Sequence, residues 1–328
     1  MKTIDSHAHI TVPQITKEFP NGSWRLDMMP KEGTRDFRKY TKKARQGTID
    51  VDTIIEDMKD MKVDMMAISP APSLFFYEES PDKALFAAQI QNDGLTRLAG
   101  DHPDLFVSLG VLPLQDVPQA VKELRRVVKD LGLPGIAIGS SVQGRHLGHA
   151  DFIPFWEAVS DMDVFVFIHP TFVRTYEIKT MADYHLHNLF GNPMETGLAA
   201  ADLVFSGVFE RHPKLKIMLA HGGGVMPILK GRWVHGYDVR PEPKVRLKRS
   251  PLESITKFYV DTIIHDPLSL KYLVDSFGAD HVMLGSDFPA AMGPEFPAQE
   301  VEEIHLSKAD KAKILGGNAA RLLKLKIG

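Results

Sequence analysis

The sequence begins with the run Thr3-Ile4-Asp5-Ser6-His7-Ala8-His9-Ile10, in which one residue separates two histidines near the end of a strand-like segment. Side chains two residues apart on a β-strand point to the same face. His7 and His9 could therefore bind one metal ion together. Taken alone, the pair could equally be two ordinary polar residues in a loop. The interpretation depends on whether other strand ends supply further ligands.

Apolar runs of strand length recur after this segment, and helical segments separate them. The further strand-like runs are residues 63–70, 105–112, 135–139, 164–169, 215–221, 258–262 and 281–287. The main predicted helices are residues 51–60, 81–101, 152–160 and 195–211, and a capping box at Ser307–Asp310 starts the last one. Mostly continuous apolar strands that alternate with helices predict an α/β fold, a (β/α)8 TIM barrel that spans residues 1–328 as one domain.

The helix over residues 195–211 has apolar residues at helical spacing. Leu198, Ala201, Phe205 and Val208 fall on one side of it. We expect this side to be the buried one.

Composition excludes several classes of protein. The chain has no cysteine, which rules out disulfides, thiolate metal ligands and a cysteine nucleophile. A net charge of -3 gives no global argument for binding nucleic acid. The N-terminus enters strand-like sequence directly, and no apolar run has the ~18 residues of a membrane span. We therefore expect a cytoplasmic protein with neither a membrane nor a nucleic-acid partner.

Residues 11–50 interrupt the regular pattern. Prolines and glycines break the segment, and no helical or alternating period persists in it. Basic residues dominate between Lys31 and Arg45. They could form a solvated face, or a lid that attracts an anionic substrate. We interpret the segment as an insertion over the barrel mouth.

Polar residues close several of the apolar strands. In a barrel of this type the carboxyl ends of the strands meet at one mouth, where the chemistry takes place. The residues at these ends are His7, His9, His169, His221 and Asp287. Nitrogen and oxygen ligands without sulfur suit zinc, manganese or iron. The pattern predicts a metal centre at the mouth.

Five motifs resemble those of the amidohydrolase superfamily. They are His7-Ala8-His9, Phe167-Ile168-His169-Pro170, Pro193-Met194-Glu195-Thr196, His221-Gly222-Gly223-Gly224 and Gly285-Ser286-Asp287-Phe288-Pro289. Within the superfamily they are most similar to the decarboxylase branch typified by aminocarboxymuconate-semialdehyde decarboxylase and its salicylate- and resorcylate-type relatives. The resemblance runs from the first strand to Gly317-Asn318-Ala319-Ala320, with the motifs in the family's order.

The resemblance implies a role for each matching residue. His7, His9, His169 and Asp287 would hold one divalent metal ion, Zn²⁺ in the first instance with Mn²⁺ as the alternative, and no organic cofactor. His221 would be the acid/base beside the metal, and Asp287 would take part in catalysis as well as in binding. Arg232 matches an arginine that crosses a subunit interface to a substrate carboxylate, which implies a homodimer or a higher homo-oligomer.

Three functions remain open from the sequence. The favoured one is a metal-dependent, non-oxidative decarboxylase of a small aromatic or unsaturated carboxylic acid. The second is a hydrolase or hydratase on the same scaffold, and the third is a non-catalytic barrel that binds metal. Asn188 and Ala290 depart from the family pattern, which implies a differently shaped pocket. His185 and His187 are either pocket donors or surface residues.

Overall fold

Eight parallel strands form one sheet in the computed structural model, which describes residues 2–20, 34–35, 38–39, 49–171, 181 and 183–326. The strands follow chain order around the sheet, so each pairs with the next. They are β1 (Ile4–His9), β2 (Met65–Ser69), β3 (Phe106–Gly110), β4 (Gly135–Gly139), β5 (Phe165–His169), β6 (Lys216–Leu219), β7 (Tyr259–Asp261) and β8 (Val282–Met283). The predicted (β/α)8 barrel is confirmed.

Helices connect the strands on the outside of the sheet. They are α1 (Pro13–Glu18), α2 (Val51–Met61), α3 (Pro81–Asp101), α4 (Val117–Arg125), α5 (Ile153–Asp161), α6 (Asn192–Phe205), α7 (Val208–Arg211), α8 (Met226–Val239), α9 (Pro251–Ile255), α10 (Pro267–Phe277), α11 (Pro297–Glu303), α12 (Lys308–Ala312) and α13 (Asn318–Leu322). The predicted capping box is confirmed at α12, where the Ser307 hydroxyl oxygen accepts from the Asp310 amide at 3.1 Å. No helix in these ranges is long and apolar enough to cross a membrane.

The barrel closes where the chain beyond β8 returns to β1. The Ser6 amide donates to the Leu284 carbonyl at 2.8 Å, and the Asp287 amide donates to the His7 carbonyl at 2.8 Å. The backbone therefore holds Asp287 next to the two histidines of β1, 280 residues away from His7 in the sequence.

Both faces of the strands are buried. Every residue of β5 lies in the buried class, and Phe165, Val166 and Ile168 are fully covered. One face packs inside the barrel and the other lies under the helices, as in other parallel sheets. This double burial explains why the strands read as continuous apolar runs and why a polar residue at a strand end is informative.

Helix α6 does not bury the side that the sequence predicted. The buried apolar residues of α6 are Ala199, Ala200, Leu203 and Val204, whereas Leu198, Ala201 and Phe205 are only partly covered. Val208, the fourth residue of the prediction, is buried as expected, but it lies in α7. The prediction was wrong because the helix is apolar on more than one side, so that spacing alone does not choose between them. Phe205 packs instead against Trp233 of α8, with 6.0 Å between the ring centroids.

The segment over residues 11–50 is described only in part. Residues 21–33, 36–37 and 40–48, which carry most of the predicted lid, lie outside the described residues. Of the described basic residues, Arg38 is buried and donates to the carbonyls of Pro294 and Glu295, at 2.6 and 3.1 Å. Lys39 pairs with Asp60 at 3.1 Å.

Candidate metal centre and active site

Four of the residues predicted from the sequence converge at the barrel mouth. His7, His9, His169 and Asp287 are all buried, and each offers one ligand atom that lies within 4.8 Å of the others. His9 ends β1 and His169 ends β5, while Asp287 lies in the segment that closes the barrel. It is the only such group of metal-ligating side chains among the described residues.

The far side of each imidazole ring is held by an acceptor. Nδ1 of His7 lies 2.7 Å from Oδ2 of Asp261. Nδ1 of His9 lies 3.2 Å from the Pro70 carbonyl, and Nδ1 of His169 lies 2.7 Å from its own neighbouring carbonyl at Pro170. Because a carbonyl or a carboxylate only accepts, each Nδ1 carries a proton. Every Nε2 is then left to present its lone pair to the centre, as in other histidine metal sites.

The surroundings of the Nε2 atoms test whether a metal fits. Nε2 of His169 is buried without a hydrogen-bond partner. Nε2 of His7 and Nε2 of His9 face each other at 3.1 Å, an arrangement that needs a proton or a cation between or beside them. Three imidazole nitrogens and a carboxylate oxygen form a ligand set that suits a divalent transition metal. The residues present therefore fit the ion that the sequence predicted.

Asp287 lies between the histidines and the predicted acid/base. Its Oδ1 is 3.3 Å from Nε2 of His7 and 3.3 Å from Nε2 of His9. Its Oδ2 is turned to the other side, 3.7 Å from Nε2 of His221. Asp287 also has a positive φ of 52°, which is costly for a residue with a Cβ and is often found at functional sites.

His221 stands beside the four candidate ligands. It follows β6 in a tight turn and has a φ of 54°. The ring centroid is 5.0 Å from that of His169, and Nδ1 is buried without a hydrogen-bond partner. The side chain is 16% exposed, more than those of the candidate ligands His7, His9 and His169, so that it faces the open part of the mouth.

The glycines after His221 make the turn possible. Gly224 has a φ of 60°, and a Cβ on it would lie 2.1 Å from the carbonyl oxygen of Pro193 at the start of α6. The His-Gly-Gly-Gly and Pro-x-Glu-Thr motifs therefore pack against each other. A tight turn that leaves a strand accounts for these glycines, since Gly222, Gly223 and Gly224 all have positive φ values.

The charged states of the site depend on burial and on the carboxylates. Burial alone would lower the pKa of His7, but hydrogen bonds to Asp261 and Asp287 outweigh it and raise that pKa to about 10. Burial lowers the pKa of His9 and, together with the nearby imidazoles, holds that of His169 well below its usual range. Burial alone would raise the pKa of Asp287, but the histidines around it hold that pKa well below its usual range.

The remaining candidate residues are exposed and do not belong to the group of candidate ligands. Arg232 is exposed on α8 and makes no hydrogen bond or ion pair with any residue that the structure describes. His185 and His187 are exposed and pack edge to face, with 4.5 Å between the ring centroids. Neither is among the buried candidate ligands.

Two buried acids beside the site were not assigned a role from the sequence. Asp261, at the end of β7, contacts both His7 and the backbone of His221. Glu195, in the Pro-x-Glu-Thr motif, accepts from the Ser140 hydroxyl at 3.0 Å and from the Thr171 amide at 3.1 Å. The only signal for Asp261 was its position at the end of a strand.

Comparison with known proteins places the chain in a family. The amidohydrolase family matches residues 4–325. A 2-amino-3-carboxymuconate-6-semialdehyde decarboxylase from Dictyostelium discoideum is 37% identical and aligns with 98% of this chain and 91% of its own. The enzyme of that name from Caenorhabditis elegans is 28% identical, over 99% of this chain and 94% of its own. A solved dihydroxybenzoic acid decarboxylase from Polaromonas sp. JS666, with bound manganese and the inhibitor 2-nitroresorcinol, has a TM-score of 0.85 at 24% identity, over 100% of this chain and 98% of its own.

These comparisons test the resemblance found in the motifs. The identity to the Dictyostelium decarboxylase extends over nearly the whole of both chains, so that it covers the barrel and not an isolated motif. Because these relatives are decarboxylases, the predicted enzyme class, a carboxy-lyase, is confirmed. The chain belongs to the amidohydrolase family, in the branch of the 2-amino-3-carboxymuconate-6-semialdehyde decarboxylases.

Proposed function

We propose that this enzyme removes CO₂ from a small aromatic or unsaturated carboxylic acid without an oxidant, using one divalent metal ion. The observation that carries the proposal is the arrangement around Asp287. One of its oxygens faces the Nε2 atoms of His7 and His9, and the other faces His221 across 3.7 Å. A metal centre and a separate proton carrier thus lie on two sides of one carboxylate.

His7, His9, His169 and Asp287 would hold the ion, with zinc as the proposed native metal and manganese as the alternative. When bound, it would supply the positive charge that holds the substrate carboxylate and an adjacent oxygen. Three imidazoles and a carboxylate are a common ligand set for zinc. Manganese is bound in the dihydroxybenzoic acid decarboxylase with the same fold. Metal analysis of protein purified without added metal distinguishes the two.

His221 would move the proton. Its Nε2 is 3.7 Å from Oδ2 of Asp287, too far for a normal hydrogen bond, so a proton carried on that atom would be available to a substrate at the mouth. His221 would donate it to the carbon that bears the carboxylate. The carbon–carbon bond then breaks, its electron pair returns to the substrate, and CO₂ leaves. Solvent restores the proton on His221, so one proton is consumed for each CO₂ released.

A hydrolase or hydratase on the same scaffold is the alternative. It would use the same five residues, but the named relatives are decarboxylases. An assay separates the two functions. The metal-loaded protein is incubated with 2,6-dihydroxybenzoate, 5-carboxyvanillate and 2-amino-3-carboxymuconate semialdehyde, and with lactones and simple amides. CO₂ release from an acid supports the proposal, whereas turnover of only the lactones or amides contradicts it.

The active species would be a homodimer or a higher homo-oligomer. Helix α8 leaves Ile228 72% exposed and Val239 60% exposed, and the partly covered apolar side of α6 lies next to it. A subunit contact along this helix would cover apolar side chains that a monomer leaves in water. Arg232 lies on the same helix. The proposal is that Arg232 of the partner subunit binds the substrate carboxylate.

The segment over residues 11–50 is proposed as a lid within a single domain. Support comes from Arg38, which is tied to the loop that follows β8. That loop leaves the carboxyl end of a strand and so lies on the side of the barrel mouth. The cytoplasmic location stays a prediction.

A further inference from the structure

Asp261 contacts both halves of the proposed active site. It is fully buried at the end of β7 and accepts four hydrogen bonds. Oδ2 accepts from Nδ1 of His7 at 2.7 Å and from the His221 amide at 3.0 Å. Oδ1 accepts from the amides of Gly222 at 2.8 Å and Ile263 at 3.1 Å. A single carboxylate therefore holds a candidate metal ligand and the turn that carries the candidate acid/base.

We propose that Asp261 is a positioning residue that couples the metal site to the proton carrier, fixing the His7 ring and the His221 turn relative to each other. The proposal rests on the proposed function, because it takes His7 as a ligand and His221 as the acid/base. Asp261 is fully buried and is not one of the four candidate ligands. It acts through the orientation of these two histidines.

The contact with His7 fixes which ring nitrogen faces the metal. A carboxylate at Nδ1 keeps the proton on that atom and leaves Nε2 free to bind. Loss of such a partner typically weakens metal binding by about 10- to 100-fold. Asp261 is therefore expected to contribute to metal affinity without being a ligand.

The contact with the His221 turn fixes the position of the proton carrier. His221 and Gly222 both have positive φ values, 54° and 61°, and the residue with a Cβ is strained there. Two amide hydrogen bonds to a buried acceptor hold the turn in this conformation. A shift of about 1 Å in a catalytic group can lower the rate by on the order of 100-fold.

Asp261→Asn tests the coupling, because all four partners are donors. An asparagine has one acceptor oxygen, so its amino group must face two of the donors whichever way it is placed. In one placement the His7 ring and the His221 amide lose their acceptor. In the other the Gly222 amide loses its acceptor, and His7 faces a neutral amide oxygen in place of a carboxylate, which makes its ring a weaker ligand. We expect metal affinity, measured by competition with a chelator, to fall by about 10- to 100-fold. We also expect kcat at saturating metal to stay at least about tenfold below that of the wild type, since excess metal does not restore the turn.

Asn318→Asp is the matched control. Asn318 is buried and its amide donates to the carbonyls of Ala279 and Val282 at 2.7 and 2.8 Å, which supports β8 from outside the metal centre. This substitution also leaves the size of the side chain unchanged, and it places a carboxylate oxygen, an acceptor, opposite two carbonyl acceptors. It should lower the melting temperature and leave metal affinity unchanged. Equal losses of affinity in both variants would mean that Asp261 is merely structural.

Two measurements on the wild type keep the proposal testable if Asp261→Asn does not fold. In a nitrogen-15 spectrum of the zinc-loaded protein, the His7 ring should carry its proton on Nδ1. Metal loading should slow hydrogen exchange at the His221 and Gly222 amides more than at the buried Leu133 amide, which donates to the Val127 carbonyl at 3.0 Å just before the amino end of β4, opposite the mouth. A proton on Nε2 of His7, or equal slowing at all three amides, overturns the proposal.

These readouts separate the proposal from the proposed function. If the protein binds metal but releases no CO₂ from any acid, the proposed function fails, and affinity, tautomer and exchange still test Asp261. If decarboxylation is found and Asp261→Asn has wild-type affinity and kcat, Asp261 has no positioning role.

Discussion

The Nε2 atoms of His7 and His9 lie 3.1 Å apart, and Oδ1 of Asp287 is 3.3 Å from each of them. Two nitrogen lone pairs cannot face each other at this distance without a positive charge. In the metal-free protein that charge is a proton, because hydrogen bonds to Asp261 and Asp287 raise the pKa of His7 to about 10. A proton and a metal ion therefore compete for the same nitrogen.

Metal binding should release about one proton near pH 8. The ordinary pKa of histidine is 6.5 and that of His7 is raised to about 10, so the metal-free protein keeps this proton throughout the interval between them. His9 and His169 have lowered pKa values and are already neutral there. Ligands must be deprotonated before they bind. Titration calorimetry in buffers of different ionisation enthalpy measures the proton count, and a heat independent of the buffer would contradict the prediction.

The same pKa shift predicts how stability depends on pH. Because the pKa of His7 is raised, protonated His7 stabilises the folded metal-free protein. This contribution is present in full below pH 6.5 and is lost as the pH rises through about 10. The metal-loaded protein does not hold the proton and gains affinity over the same interval. The difference in melting temperature between the two forms should therefore grow from pH 6.5 to 9. A difference that stays constant over this range would mean that His7 is neutral without metal.

The barrel could be predicted because burial on both faces makes its strands continuous apolar runs. Strand β8 was predicted too long, over residues 281–287, whereas its ladder ends at Met283. Beyond it the Leu284 carbonyl and the Asp287 amide still bond to β1, but the Leu284 amide donates to the carbonyl of Ile314 and the ladder with β7 does not continue. Hydrogen bonds to distant residues decide where such a strand ends, and apolar character does not report them.

The ligands could be predicted from their positions in the sequence, whereas the role of Asp261 could not. A histidine that closes a buried strand stands out among apolar residues. Asp261 also closes a strand, but its function lies in the contacts it makes with His7 and His221, which are 254 and 40 residues away in the sequence. Nothing local to β7 indicates that one carboxylate accepts from both.

Removal of a ligand should remove the metal. His169→Ala takes away an Nε2 that has no other partner, and Asp287→Ala takes away the oxygen that faces His7 and His9. Wild-type protein should contain about one divalent ion per chain and each variant far less, with activity lost in parallel. Elemental analysis measures this, and His305→Ala, at an exposed histidine just beyond α11, is the control that should keep both. Full occupancy in both ligand variants would disprove the ligand assignment.

Loss of His221 should affect the rate and not the metal. The ring lies beside the centre, with its Nε2 3.7 Å from Asp287, and the group of ligand atoms is complete without it. His221→Ala should retain about one ion per chain and lose turnover by about 10²- to 10⁴-fold, the usual contribution of a general acid or base. If metal content falls together with the rate, His221 is a ligand and the proposed division of roles is wrong.

The last prediction concerns Arg232, whose position does not suit a role in its own barrel. It is exposed on α8, and the helix carries the chain back along the outside of the barrel, away from the mouth. If the partner subunit uses this arginine, Arg232→Ala should be folded, metal-bound and inactive. His221→Ala should be inactive too, for a different reason.

Mixing the two inactive variants should then restore activity. In a heterodimer, one pocket has an intact His221 and receives an intact Arg232 of the partner subunit, while the other pocket lacks both. With random exchange, half of the dimers are mixed and each has one working site, so about a quarter of the wild-type activity is expected. Arg240→Ala, which removes an exposed arginine just beyond the end of α8, is the control for a nonspecific loss of charge and should stay active. A wild type that is monomeric and fully active, or a mixture that stays inactive after subunit exchange has been demonstrated, would show that each site is built from one chain.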